Sequence, residues 1–196
     1  VTEKQGLRER KKQRTRQALI EAAVRLFEDK GYDDVTVAEI ADAAEVSPRT
    51  FFLHFPAKED VLLADADVRV DLALQAISER RGREGLPEVL VRATEQMIVN
   101  AWDGELAALR ARLAASVPTL QARLLQRYLT AQAELAQALH RAFPDRLDAI
   151  TASALTGAVV GAVSASALAA LRRGDGPDEV RDAMLQAVAL VARAVS

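Results

Sequence analysis

The sequence predicts an all-α protein in two parts, an N-terminal three-helix domain containing a helix-turn-helix and a larger C-terminal helical domain. Composition points first: half of the 196 residues are hydrophobic, and there are only six prolines. Alanine and leucine dominate and β-branched runs are few, which favours helix over sheet. Apolar residues also recur at helical spacing along most of the chain, giving about nine helices. Finally, two short helices with good caps lie close together between Thr36 and Lys58. The expected division is a basic arm over 1–14, the helix-turn-helix domain over 15–57, and the larger helical domain over 58–196.

The first helix is expected from about Arg10 to Lys30. Leu19, Ala22, Ala23, Leu26 and Phe27 form its apolar stripe and Gly31 its C-cap. Thr36 and Glu39, three apart, form a capping box that opens the second helix. Val37, Ile40, Ala41 and Ala44 then face a core. Ser47 and Pro48 supply an N-cap and a first helical residue for the third. Only the neighbourhood of Glu45 and Val46 separates the two, as a helix-turn-helix requires. Phe51 and Phe55 share one face of the third helix, while Pro48, Arg49 and Phe52 share another. One face holds the fold and the other is left for a partner, which suggests DNA.

A long helix is expected from Ala57 to Arg81, ending at Gly82. Pro87 opens the next, to about Trp102, and Glu105–Ala115 forms another. Pro118 lies in the first turn of a helix carrying Leu120, Leu124, Tyr128, Leu135 and Leu139. Pro144 marks the boundary before a helix of about 28 residues, and Pro177 begins the last. Ala149–Leu171 contains no charged residue and includes Gly157 and Gly161 as a GxxxG pair. Five of these 23 residues are Ser or Thr and only seven are Ile, Leu or Val. A helix with so few strongly inserting side chains reads as buried on several sides, not as a membrane span.

Charge sharpens the N-terminal half. Residues 1–20 hold seven Lys or Arg against two acids, whereas 26–46 hold Lys30 against seven acids. Beside a helix-turn-helix, the basic arm is expected at phosphates or the minor groove. The absence of cysteine excludes disulfides, thiolate zinc sites and cysteine nucleophiles. It fits a cytoplasmic protein, and the charged N-terminus lacks a signal-peptide pattern. His54 and His140 are the only histidines, with no HExxH or ExxH pair. No catalytic residue, metal or cofactor is therefore expected, and the protein does not read as an enzyme.

Thr15 to Leu63 closely resembles the DNA-binding domain of TetR-family transcriptional regulators. The matching residues include Thr15-Arg16, Ala22-Ala23, Leu26-Phe27, Gly31-Tyr32, Thr36-Val37, Ile40-Ala41, Val46-Ser47, Thr50, His54-Phe55 and Lys58-Glu59. The resemblance implies three helices for DNA and a helical domain for ligand binding and dimerisation. Arg49 is expected to read guanine through O6 and N7 from the start of the recognition helix. Arg14, Arg16, Thr36, Val37, Ser47, Pro48, Thr50, Phe52, His54 and Lys58 are expected around it. Four departures from the family pattern stand out: Arg49 replaces a glycine, Phe52 a tyrosine, Glu45 the turn glycine and Ala57 a capping serine. If the turn needs a positive φ, Glu45 costs about 1 kcal/mol.

In the second half, Met97, Trp102, Leu106, Leu109, Leu113, Leu124 and Tyr128 are candidates for lining a ligand cavity, with Arg110 among the arginines for an acidic headgroup. ELAALRARLAASVPTLQARLLQRYL resembles the subgroup typified by the mycofactocin-system regulator of actinobacteria, which implies an acyl-CoA-like effector. The last two long helices are the expected dimer interface. Ala158, Gly161, Ala162, Ala165 and Ala169 would give close approach, and Leu155, Leu168, Met184, Leu185 and Val188 apolar area. The whole reads as a homodimeric bacterial repressor, released from a near-palindromic DNA operator by a small molecule and not attached to a membrane.

Overall fold

The computed structural model describes residues 3–64, 66–82, 84–99, 106, 109, 110, 112, 113 and 116–195. Among them there are helices and no strand: α1 (Glu3–Lys30), α2 (Val37–Ala43), α3 (Pro48–His54), a 3-10 helix (Lys58–Leu63), α4 (Ala66–Ser78), α5 (Leu86–Val99), α6 (Pro118–Ala142), α7 (Ala149–Arg173) and α8 (Pro177–Ala194). The described residues near 106–113 are also helical. Trp102 and part of the helix expected over 105–115 lie outside the described residues.

The chain forms two compact units. The first comprises residues up to Ala64 together with Arg112–Arg123, and the second Asp65–Ala111 with residues from Leu124 onward. The expected boundary at 57/58 therefore moves beyond the 3-10 helix, and the first unit recruits a segment distant in sequence. Leu19, Ala22, Ala23 and Phe27 of α1 pack in the first core with Ile40, Ala41, Phe51, Phe55, Leu62 and Leu63, all nearly or fully buried. Leu120, fully buried, belongs to the same unit.

Two elements differ from expectation. The basic segment expected as an arm is helical from Glu3, continuous with the rest of α1. Its Glu, Lys, Gln and Arg residues are good helix formers, so the packed half of α1 extends through them. The helix expected over 57–81 instead breaks into the 3-10 helix and α4. Asp60 to Ala64 are all buried, and five consecutive buried residues cannot lie on one stripe of an α-helix. The Asp60 carboxylate accepts from the Ala57 amide at 3.0 Å, which is the half of a capping box that needs no side chain at Ala57.

The turn of the helix-turn-helix is a Schellman motif. The Glu45 amide donates to the Asp42 carbonyl and the Val46 amide to that of Ala41, both at 2.9 Å. Glu45 has φ 55°, the left-handed conformation that the sequence left conditional.

The second unit is built around Ala73, Ala76 and Ile77 of α4, Val89, Leu90 and Ala93 of α5, Leu135 and Leu139 of α6, Ala152, Val159 and Val163 of α7, and Val180, Met184 and Val188 of α8. The Asp148 side chain caps α7 by accepting from the Thr151 amide at 2.7 Å, and Gly174 ends it at φ 83°. By length and composition α7 could cross a bilayer. Its Ala152, Leu155, Thr156, Val159, Val163 and Ala170 are buried, yet only 28% of its most apolar stretch is. The rest is uncharged and exposed or half-buried, with Val160, Ala167 and Leu171 packed against the core.

Candidate nucleic-acid interface

The recognition helix α3 is fixed at its start and along one side. Ser47 Oγ accepts from the Thr50 amide at 3.2 Å and lies 2.9 Å from Thr50 Oγ1, so both hydroxyls serve the helix start. Phe51 and Phe55 are 0% and 2% exposed, with ring centroids 5.6 Å apart. Helical geometry of roughly 100° per residue then turns Arg49 away from the core, nearly opposite Phe51 and Phe55. Arg49 is exposed and has no hydrogen bond or ion pair among the described residues. Pro48 and Phe52 are also exposed, and Thr50 is half-buried.

The helix carries one further outward residue, Leu53, which is 74% exposed. It falls outside the group of Pro48, Arg49 and Phe52 expected from sequence. Its position four residues after Arg49 was the available signal.

Two of the residues expected at DNA make hydrogen bonds within the chain. The Lys58 ammonium donates to the carbonyls of Tyr32 at 2.7 Å and Val35 at 2.9 Å, and lies 4.0 Å from the Tyr32 ring centroid. Arg16 Nη2 donates to the Ala64 carbonyl at 2.9 Å, with its guanidinium 4.6 Å from the Phe55 ring centroid. Both basic side chains sit over aromatic rings and satisfy carbonyls that the turns leave open. This internal use was not legible because each partner lies 23 or more residues away.

His54, in the last turn of α3, is half-buried, and its Nδ1 is buried with no hydrogen-bond partner. Burial holds its pKa below the usual histidine value, and the charges of Arg16 and Lys12 add to the effect. Thr36 is exposed at the N-terminus of α2, with Val37 half-buried behind it. Thr36 and Glu39 make both capping-box hydrogen bonds. The Lys30 ammonium, 2.8 Å from Glu39, is the largest cause holding that carboxyl at about 2, together with the Thr36 contacts. Arg8, Arg10, Lys11, Lys12 and Arg14 are exposed along α1.

The residues expected to line a ligand cavity are divided. Leu106, Leu109 and Arg110 are buried at 3%, 2% and 9% exposure. Met97, Leu124 and Tyr128 are half-buried in the second unit, whereas Leu113 falls in the first. A separate groove of about 430 Å³ on α5 is lined by Pro87, Glu88, Val91, Arg92 and Glu95 and shares none of them. Among the described residues no cluster of His, Asp and Glu could hold a metal.

The expected dimer residues also separate into two sets. Ala158, Ala165, Leu168 and Ala169 are exposed, and Gly161 and Ala162 partly so. A side-chain carbon at Gly161 would meet nothing within 4 Å. In contrast, Leu155, Met184 and Val188 are 8%, 4% and 0% exposed and belong to the protomer's own core. Their assignment to an outward interface is corrected. They form the inward stripes along which α7 and α8 pack, and Leu185 is half-buried beside them.

A capped helix pair joined by a Schellman turn, presenting an unpartnered arginine from a second helix anchored by phenylalanines, defines a helix-turn-helix domain. A family model described as bacterial regulatory proteins, tetR family, matches residues 19–64. The transcriptional regulator TcmR of Streptomyces glaucescens is 37% identical over 139 residues, 69% of this chain and 62% of that protein. EthR of Mycolicibacterium smegmatis is 28% identical over 173 residues, covering 83% and 79% of the two chains. The chain thus spans less than two thirds of TcmR, and only 30% of Mycobacterium tuberculosis EthR, which it matches at 40% identity over 65 residues. In fold it is similar to Salmonella enterica GusR, with a TM-score of 0.59 at 20% identity, covering 92% and 94% of the chains. A protein from Mesorhizobium loti assigned to the TetR family gives 0.62 at 20% identity, covering 93% and 97%. The matched domain and these relatives together support a regulator of the TetR family, whose fold the two solved structures share.

Proposed function

We propose that this protein is a cytoplasmic, sequence-specific DNA-binding regulator, a homodimeric repressor released from a near-palindromic operator by a small molecule. The observation that carries the reading is the exposed, unpartnered Arg49 on a helix whose opposite face is locked by Phe51 and Phe55. A guanidinium so presented can donate bidentately to guanine O6 and N7, worth roughly 1–3 kcal/mol of discrimination. Ser47, Pro48 and Thr50 lie beside it at the start of the helix, and Thr36 and Val37 offer the N-terminus of α2 to a phosphate.

Dimerisation is supported by the uncharged outward side of α7, where Ala158, Gly161, Ala162, Ala165, Leu168 and Ala169 allow close approach of a second copy. Two copies would place recognition helices roughly 34–36 Å apart, or somewhat further, on an operator with two-fold symmetry. Release by an effector requires that it bind the DNA-competent and incompetent states unequally. The mycofactocin-subgroup resemblance supports an acyl-CoA-like effector, with Arg110 toward its phosphates and Met97, Leu106, Leu109, Leu124 and Tyr128 toward its chain.

The test is selection of bound DNA from a random duplex library. Wild-type protein is expected to enrich two half-sites in inverted orientation, each containing a guanine. Arg49→Ala should lose selectivity at that guanine while keeping its helical content. Failure to enrich any sequence would overturn the DNA-binding reading, and an unchanged motif with Arg49→Ala would remove Arg49 from it.

A further inference from the structure

We propose that Arg49, Phe52 and Leu53 form one reading surface that recognises guanine next to the 5-methyl groups of thymine. The inference rests on the DNA-binding reading above and deepens it to the bases read. At roughly 100° per residue, Phe52 and Leu53 fall one turn beyond Arg49 and on either side of it. They are 55% and 74% exposed; Leu53 is turned away from the Phe51–Phe55 anchor and Phe52 flanks it. The outward surface of this helix thus has a cation between two large apolar groups.

The two apolar groups differ in how they are held. The Phe52 ring meets the buried Phe51 ring edge-on, with centroids 5.6 Å apart and planes at 84°, so it is braced from below. Leu53 projects further and is the more exposed. Neither side chain can donate or accept a hydrogen bond, so neither can read the donor and acceptor pattern of a base edge. On the major-groove edge the thymine methyl is the one apolar feature, and an aliphatic or aromatic side chain packs against it with loss of water from both. A guanidinium alongside takes the guanine acceptors. Phe52, which lacks the hydroxyl a tyrosine would place there, is suited to a methyl contact and not to a phosphate oxygen.

The experiment uses the full chain and the duplex returned by selection. Thymines of each half-site are replaced singly by deoxyuridine, which removes the methyl and leaves the pairing edge unchanged. Wild-type affinity should fall about fourfold at each thymine packed against the surface, equivalent to ~0.8 kcal/mol for one buried methyl-sized group. Leu53→Ala or Phe52→Ala should abolish that ratio at its own thymine, binding thymine and deoxyuridine duplexes equally. Arg49→Ala should keep the ratio while losing the guanine preference. Replacing a cytosine at the contacted thymine position by 5-methylcytosine should recover part of the affinity. Because Leu53 is 74% exposed, its truncation leaves the core intact, which a thermal melt checks. Equal wild-type affinity for every deoxyuridine duplex would overturn this proposal and leave DNA binding standing, as would a ratio unaltered in both alanine variants. A selection that enriches nothing would overturn both readings together.

Discussion

The Lys58 ammonium, at the start of the 3-10 helix, donates to the backbone carbonyl of Tyr32 at 2.7 Å while lying 4.0 Å from the centroid of the same residue's ring. Together with its 2.9 Å bond to Val35, this ties the loop after α1 to the segment after the recognition helix. Truncating Lys58 would leave two part-buried carbonyls without a charged donor. Lys58→Ala is therefore expected to lower stability by about 2–3 kcal/mol, measured by chemical denaturation. If Lys58 serves the fold, the slope of log affinity against log salt should stay near wild type for the folded fraction. A slope reduced by about 0.9 would return Lys58 to the phosphate backbone.

Glu45 sits at the left-handed position of the Schellman turn, φ 55°, where glycine is usual. A side chain at that φ costs about 1 kcal/mol, offset in part by the greater unfolded-state entropy of glycine. Glu45→Gly is expected to stabilise the protein by up to about 0.5 kcal/mol and to raise non-specific DNA affinity by removing a carboxylate from the turn. Glu45→Ala separates the two effects, since it removes the charge and keeps the conformation. Equal denaturation midpoints for the glycine and alanine variants would contradict strain at this turn.

These two residues mark where sequence was sufficient and where it was not. Glu45, Thr36, Ser47 and Asp60 act within a few residues of themselves, through caps and turns whose chemistry is local. The turn glutamate and the two caps of the helix-turn-helix were accordingly visible in sequence. Lys58 and Arg16 bond to carbonyls 23 to 48 positions away, and no spacing rule reports which carbonyls a fold leaves open. The same distinction explains α7 and α8. Periodicity identified their apolar residues but could not say that Leu155, Met184 and Val188 pack within the protomer while Leu168 is left outside. The break at Ala64 was hidden for a related reason, because a run of buried residues looks like helix until its neighbours are known.

Arg8, Arg10, Lys11, Lys12 and Arg14 are exposed on a continuous helix, so their charges are held along α1. If they meet phosphates, removing residues 1–12 should reduce the salt slope by about 0.9 for each phosphate no longer neutralised. Titrating operator binding over a range of salt concentrations measures this. The domain should remain folded, because among the described side chains of α1 the first buried one is Leu19. An unchanged slope would place the DNA-binding charges elsewhere.

His54 gives the folded protein a defined pH response. Its folded pKa is below the ordinary value of 6.5, chiefly through burial and then through Arg16 and Lys12. Above 6.5 the imidazole is neutral in both states and its contribution is fully present. As pH falls below 6.5 the unfolded chain takes up the proton first, so stability is lost until the folded pKa is reached. Denaturation midpoints for wild type and His54→Gln should therefore diverge between about pH 7.5 and pH 5.5, with wild type losing more. Parallel pH profiles would show that His54 is not depressed. Phosphates near His54 would oppose the two cations, so operator binding should draw the imidazole toward its protonated form. An NMR titration of the ring with and without operator reads that shift.

Leu168 is 38% exposed on the uncharged side of α7, among Ala165, Ala169 and, about two and three turns earlier, Ala162 and Ala158. Its side chain is not part of the protomer's buried core, so Leu168→Arg should fold. If a second copy covers this face, two arginines would be brought together near the two-fold axis, each desolvated and without an acid. Such burial is unfavourable by several kcal/mol, enough to dissociate a dimer at micromolar concentration. Analytical ultracentrifugation is expected to give the monomer mass for Leu168→Arg, with unaltered far-ultraviolet circular dichroism. Affinity for a two-half-site operator should drop to that for a single half-site, because the second head is no longer tethered. The outward side of α8 supplies the control. Leu190 is 64% exposed there, but its outward neighbours Asp182, Gln186 and Arg193 are polar. Leu190→Arg should leave the dimer intact. If it dissociates the dimer while Leu168→Arg does not, the interface belongs to α8 and the small-residue face of α7 serves another partner.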